Sequence, residues 1–173
     1  MKKLICLFLA AVAMVGCQPK SEPAPETPKD DPAKIAYEQN LATTKAALKA
    51  FENENLDEFG SYVSDSVVVL PATYGSKESN KEEWKSLLGY FTSEFDSIRL
   101  TQSIFLPGID SATHEPDGSV RYYGTWVSRH KSGMNTSVRF YAAYEFDDNH
   151  KILFAQDFFD VGGLLNAVAP KKK

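Results

Sequence analysis

The sequence predicts an α+β domain in which helices come first and a meander of β-strands follows. Apolar residues recur at helical spacing up to about residue 95, and four β-rich segments follow from about residue 98. Short turn signals separate these segments. Because such short loops join strands that lie side by side and run in opposite directions, the strands are expected to form an antiparallel sheet.

Three helices are predicted before the meander. The first covers the apolar repeat between Leu41 and Phe51. The second begins after Asn55, whose side chain is a candidate N-cap, and its apolar repeat continues to Val63. The third begins after Asn80, and Glu83 completes a capping-box pattern. One face of this third helix is apolar, and it consists of Trp84, Leu87, Leu88, Phe91 and Phe95.

The β-rich segments are recognised by their composition and their turns. A short buried strand is predicted at residues 67–70, and Pro71 ends it. The later strands are expected near residues 98–106, 119–131, 136–147 and 151–160. The turn signals between them are Pro107-Gly108, Glu115-Pro116-Asp117-Gly118, Lys131-Ser132-Gly133 and Asp147-Asp148-Asn149. A last short helix is expected at about residues 161–167, after the candidate cap Asp160.

The N-terminal residues predict export to the cell envelope. Lys2 and Lys3 precede an apolar run over residues 4–15, which is too short to span a bilayer. The tract Met14-Val15-Gly16-Cys17 resembles the lipobox of bacterial lipoproteins, in which the cysteine thiol receives a diacylglycerol and the peptide is cut before it. Residues 1–16 are therefore expected to be a signal peptide and Cys17 the site of lipidation. A secreted protein with an ordinary thiol at Cys17 is the alternative.

Residues 17–34 are predicted to be the lipidated cysteine and a disordered tether. The stretch is rich in proline and acidic residues and has no large apolar side chain after Cys17, so it cannot bury enough surface to fold. Its acidic character resembles export tracts of some Bacteroidota lipoproteins. Because Gln18 is not an aspartate-type retention signal, the outer membrane is the expected location, on either its periplasmic or its outer side. The folded domain is expected over residues 35–170, the size of one domain.

Composition excludes several classes of function. The chain has 19 basic and 23 acidic residues, and loss of Lys2 and Lys3 changes the net charge from −4 to −6. An acidic domain argues against nucleic-acid binding, which requires a basic face. The only two cysteines are Cys6 and Cys17, so the domain has neither a disulfide nor a thiolate metal site. No metal and no cofactor is predicted.

The order of the elements resembles the nuclear transport factor 2-like superfamily, and its SnoaL-like branch in particular. Residues 55–71, 80–95 and 151–160 carry the likeness. It implies a cone-shaped, cystatin-like α+β barrel, in which a curved antiparallel sheet wraps the N-terminal helices and leaves a pocket at its open end. The superfamily includes isomerases, dehydratases, cyclases, epoxide hydrolases and members without catalysis, so the fold does not choose a function.

The segment 151–160 contains the main candidate for chemistry, Asp157. Strand side chains alternate between faces, but both faces of this segment are mostly apolar, so the pattern alone does not say which faces inward. The resemblance to ketosteroid isomerases implies that Asp157 and Phe159 line the pocket. A carboxyl group there would have a raised pKa and could act as a general acid or base, alone or with His130. An ion pair or a wet rim is the alternative environment.

The same comparison argues against ketosteroid isomerase activity itself. Leu70 and Ala142 stand where that family has its general base and its hydrogen-bonding acid, and neither side chain can move a proton. The strands are instead rich in aromatic residues. The expected ligand pocket consists of Tyr74, Trp126, Phe140, Tyr144, Asp157 and Phe159.

Three functions remain open at this point. The first is a lipid-anchored module that binds a small apolar or amphipathic molecule without catalysis. The second is a SnoaL-like isomerase, dehydratase or hydrolase that uses Asp157 with His130 or Tyr144. The third is an interaction protein that associates with itself, because the outer sheet face, with Arg139 and Tyr141, packs against a second copy in many relatives and a homodimer is one expectation.

Overall fold

The computed structural model describes residues 31–170. The signal peptide, Cys17 and most of the tether therefore lie outside the described residues. The elements follow in this order: α1 (Pro32–Glu52), α2 (Leu56–Ser61), β1 (Val63–Leu70), α3 (Lys81–Glu94), β2 (Phe95–Ile109), β3 (Pro116–His130), β4 (Asn135–Phe146), β5 (Ile152–Phe158) and α4 (Val161–Val168).

The helices begin where their caps predict. The side chains of Asn55 and Asp160 accept hydrogen bonds from backbone amides in the first turns of α2 and α4. Asn80 and Glu83 form a reciprocal capping box at the start of α3. Helix α1 begins at Pro32, inside the segment predicted as tether, because the Asp31 carboxylate caps it and proline fits the first turn.

Two predicted boundaries are wrong. Val63 begins β1 rather than ending the second helix, and Phe95 begins β2 rather than completing the apolar face of α3. Strand β2 also continues through Pro107-Gly108, where the sequence predicted a turn. Proline is tolerated there because β2 is an edge strand, on which some backbone amides need no partner within the sheet.

The five strands form one sheet in the order β1-β5-β4-β3-β2. Strands β2 to β5 pair antiparallel, as the turn signals predict, whereas β1 pairs in parallel with β5. The β1 segment thus closes the edge of a sheet whose other strands all come later in the chain.

Strand β2 bends the opposite edge of the sheet. Its register with β3 shifts between Asp96 and Arg99 and again between Thr101 and Ile104. Ser97 and Gln102 lie inside these two shifts with φ of 56° and 52°. Such bulges increase local twist and curvature, so the sheet wraps around the helices.

Helix α1 is held against the sheet by a buried polar contact. The Asn40 side-chain amide donates to the carbonyl oxygen of Gly118 at 2.9 Å, and its Oδ1 lies 2.8 Å from His150 Nδ1. His150 lies in the β4–β5 turn, so this contact joins α1 to that turn. Gly118 has φ of 80°, and an added Cβ would stand 2.9 Å from the Ala36 Cβ. No helix within residues 31–170 combines the length and the apolar character needed to cross a membrane.

Candidate functional site

A cavity of about 120 Å³ lies between the inner face of the sheet and the helices. Helices α1, α2 and α3, strands β3 to β5, the loop after β1 and helix α4 all contribute to its wall. The wall is largely apolar and aromatic. Its side chains with polar atoms are Thr73, Trp84, Tyr122, Trp126, Ser128, Tyr144 and Asp157.

The register of three strands brings the central polar groups together. Tyr122 on β3 is opposite Ala142 on β4, and Ala142 is opposite Asp157 on β5. Residues paired in this way point to the same side of the sheet, and Tyr144 shares that side because it lies two residues beyond Ala142. The small Ala142 side chain leaves space between the larger ones. Tyr122, Tyr144 and Asp157 therefore converge on one part of the cavity.

The Asp157 carboxyl group has an unusual environment. The residue keeps part of its surface, but its Oδ1 atom is buried and has no hydrogen-bond partner among the described residues. Burial raises the pKa of Asp157 to about 7, because an apolar wall disfavours the charged form. The carboxyl group is therefore divided between its neutral and charged forms near neutral pH.

The neighbouring tyrosines remain neutral donors. Burial raises the pKa of Tyr122 and Tyr144 well above the usual value, and the negative charge of Asp157 adds to the effect. The Trp126 Nε1–H donates to the Tyr122 hydroxyl oxygen at 3.3 Å. The site thus combines one carboxyl group with phenol groups in a largely apolar, aromatic environment. Such a site can hold one polar group of an otherwise apolar molecule or exchange a proton with it.

Five of the residues expected in the pocket line the cavity: Trp126, Phe140, Tyr144, Asp157 and Phe159. Tyr74 does not, and this expectation is wrong. Its side chain is fully exposed, with a relative accessibility of 102%. The turn that follows β1 is closed by the Ser76 hydroxyl, which donates to the carbonyl oxygens of Thr73 and Pro71, and Gly75 has φ of 74°. This turn carries Tyr74 out to solvent.

The expected pair of His130 and Asp157 does not form. His130 lies eight residues beyond Tyr122 on β3, which is about 26 Å of extended strand. Its Nδ1 accepts from the Ser132 amide at 3.1 Å, and its ring packs against Phe95 with centroids 5.0 Å apart. His130 Nε2 lies 3.8 Å from a carboxylate oxygen of Glu94. His130 thus ends β3, beside the β3–β4 turn, and does not line the cavity.

Tyr122 is the site residue that the sequence reasoning did not select. It is only 1% exposed, and Ala142 on β4 lies between it and Asp157. Tyr122 and Trp126 are four residues apart on one strand, so they share a face. The alternation that predicts Trp126 on the inner face therefore also predicts Tyr122 there. Within residues 31–170, no three His, Cys, Asp or Glu side chains come together as a metal-binding group.

The fold is shared with many solved structures, although no protein-family model and no curated protein matches the chain. A candidate isomerase from Bacillus subtilis aligns with TM-score 0.64 and 12% identity, over 76% of this chain and 94% of that one. An ntf2-like protein of unknown function from Burkholderia pseudomallei aligns with TM-score 0.62 and 14% identity, over 76% and 98%. A candidate SnoaL-like polyketide cyclase from Shewanella denitrificans aligns with TM-score 0.58 and 11% identity, over 73% and 94%. The chain therefore has the nuclear transport factor 2-like, SnoaL-like fold.

Proposed function

We propose that this protein is a lipid-anchored envelope protein whose domain binds a small apolar or amphipathic molecule in the cavity. One observation carries the proposal: an apolar, aromatic cavity contains a single buried carboxyl group with an unpartnered oxygen. A well-formed apolar cavity with a few convergent polar groups is the usual form of a small-molecule site.

The cavity volume limits the ligand. At about 120 Å³, the cavity is close to an engineered protein cavity of about 150 Å³ that binds benzene. It is smaller than pockets for drug-sized ligands, which begin at roughly 300 Å³. We therefore expect the enclosed part of the ligand to be one ring or a short branched chain.

Native mass spectrometry of the protein extracted gently from its own membranes tests this proposal. A co-purifying small molecule that is released on activation supports binding. Ala72 lines the cavity in the loop after β1, so Ala72→Trp is expected to fill part of it and to abolish the bound mass. Tyr74→Trp is the matched control, because it adds a tryptophan to the same loop at an exposed position. Equal binding by both variants would argue against this cavity as the site.

Anchoring at Cys17 is proposed from the lipobox-like tract of the sequence. Cys17→Ser is expected to leave an unprocessed precursor and to abolish labelling by a fatty-acid analogue. Persistent labelling of the variant would contradict lipidation at this residue.

Proton-transfer catalysis by Asp157 with Tyr144 is the second candidate function. It is favoured by the raised pKa of Asp157, since a general acid or base works best when its pKa is near the working pH. The fold neighbours named as a cyclase and an isomerase agree with such chemistry. Turnover of the molecule identified by mass spectrometry, lost in Asp157→Asn, would establish it; unchanged turnover in that variant would exclude Asp157.

We also propose that the outer sheet face mediates self-association. Four apolar side chains form a row across it, with Ile104, Tyr123 and Phe158 each about half exposed and Tyr141 between the last two. Sedimentation velocity is expected to show a dimer that the double variant Tyr123→Lys/Phe158→Lys dissociates. The variant Tyr74→Lys, away from this face, should remain dimeric, and a monomeric wild type would exclude the proposal.

A further inference from the structure

We propose that the ligand of this cavity is a small apolar amine whose cationic nitrogen pairs with the Asp157 carboxylate. This inference rests on the proposed binding function and adds the charge of the ligand. It follows from the charges, the hydrogen bonds and the aromatic groups of the cavity wall.

The first argument is charge balance. Asp157 is the only charged residue on the wall, which among the described residues contains no lysine, arginine or histidine. Its Oδ1 atom is buried without a hydrogen-bond partner within residues 31–170. A buried carboxylate is stable only when a counter-charge or hydrogen-bond donors compensate it. A cationic ligand supplies both, whereas an anionic ligand such as a fatty acid would meet a like charge.

The second argument is the aromatic wall. Phe140 stacks between Tyr122 and Phe159, with ring centroids 5.6 Å and 5.1 Å apart. All three rings line the cavity that contains Asp157, and Phe159 follows Asp157 by two residues, just after β5. Tyr122 and Phe159 stack on the two sides of Phe140, so this row offers apolar aromatic surface beside Asp157 for the apolar part of the amine.

No other titratable wall residue competes with Asp157 for this role. Strands β3 and β4 present Tyr122 and Tyr144, whose raised pKa values keep them neutral. The helices α1, α2, α3 and α4 present only side chains that do not titrate. The pH dependence of amine binding should therefore reflect the titration of Asp157 alone.

Three probes of similar size test the inference: benzylammonium, benzyl alcohol and benzoate, titrated calorimetrically into the full chain in detergent. At pH 8 we expect benzylammonium to bind about ten-fold more tightly than benzyl alcohol, and benzoate not to bind. At pH 5.5 Asp157 is mostly protonated, because its pKa is about 7. The affinity for benzylammonium, which stays cationic, should then fall about ten-fold or more, while that for benzyl alcohol should be unchanged.

Variants assign the preference to one carboxylate. In Asp157→Asn, benzylammonium should bind no more tightly than benzyl alcohol. Asp148→Asn is the matched control, because Asp148 is an exposed turn residue whose replacement changes the net charge equally. If the wild type binds benzyl alcohol as tightly as benzylammonium at pH 8, or shows no loss at pH 5.5, the amine inference is wrong and the binding function stands. Failure of all three probes to bind would overturn both.

Discussion

The two faces of the sheet carry almost the same aromatic row, but only one of them encloses a site. On the inner face Tyr122, Phe140 and Phe159 stack over the cavity, and on the outer face Tyr123, Tyr141 and Phe158 stack with centroids 4.7 Å and 5.4 Å apart. Each inner residue is the chain neighbour of an outer one. The helices cover the inner row, so Tyr122 is 1% exposed and Tyr123 is 47% exposed.

The two rows differ in their environment and not in their composition. Side-chain chemistry differs little between the rows, yet burial raises the pKa of Tyr122 strongly. The Tyr122 hydroxyl, the one polar side-chain group of the inner row, accepts a hydrogen bond from Trp126 in place of water. On the outer face the same side chains offer apolar area and stacking to a partner surface.

The largest expected difference between the faces is in stability. Tyr122→Ala should lower the free energy of unfolding by about 4 kcal/mol, because it leaves a cavity in the core. Tyr123→Ala, one residue away, should lower it by about 1 kcal/mol or less, because its ring is half exposed. Urea unfolding of the two variants measures both values. Similar losses of stability in the two variants would mean that the helices do not bury the inner face more than the outer one.

Asp157 is expected to make stability depend on pH. Burial raises the pKa of Asp157 in the folded state to about 7, above the unfolded value of about 3.9, so the native state holds the proton more tightly. Stability should therefore fall as pH rises from about 4 to about 7 and then stay level. The expected loss between pH 5 and pH 8 is roughly 3 kcal/mol.

Unfolding at these two pH values, compared between variants, isolates this contribution. Asp157→Asn should abolish the loss, whereas the exposed Asp148→Asn should keep it. An equal pH dependence in wild type and Asp157→Asn would show that the carboxyl group is solvated.

The smallest expected effect is the coupling within the outer row. A double-mutant cycle on Tyr123 and Tyr141, whose ring centroids are 4.7 Å apart, should give about 0.5 kcal/mol. The inner pair Tyr122 and Phe140 should couple more strongly, because both side chains also share the wall of the cavity. Stronger coupling on the outer face would indicate that a partner copy orders the outer row.

The local features of this fold were predictable from the sequence. Asn55, Asn80 and Asp160 cap the helices that follow them, because a side-chain oxygen satisfies amides only a few residues away. The turns at residues 131–133 and 147–149 join neighbouring antiparallel strands, as predicted. The boundaries at Val63 and Phe95 were not predictable in this way, because helix and strand follow each other there without a turn signal.

The candidate site, too, was predictable only where its residues lie within strands. The alternation along β3 and β4 placed Trp126, Phe140 and Tyr144 on one face. Tyr74, in a turn, and His130, at the end of β3, were wrongly expected at the site. Loop and strand-end side chains follow local turn geometry, which the pattern of apolar residues does not describe.

The sequence by itself determined the order and type of the elements, the caps, the turns at residues 131–133 and 147–149, and which residues share a strand face. Only the tertiary structure decided that β1 joins β5 in parallel, that bulges curve β2, and that Ala142 separates Tyr122 from Asp157. The physical reason is the sequence distance between the residues that determine each feature. Caps, turns and alternation depend on neighbours a few residues away, whereas the burial of one Asp157 oxygen depends on side chains brought together from the whole length of the domain.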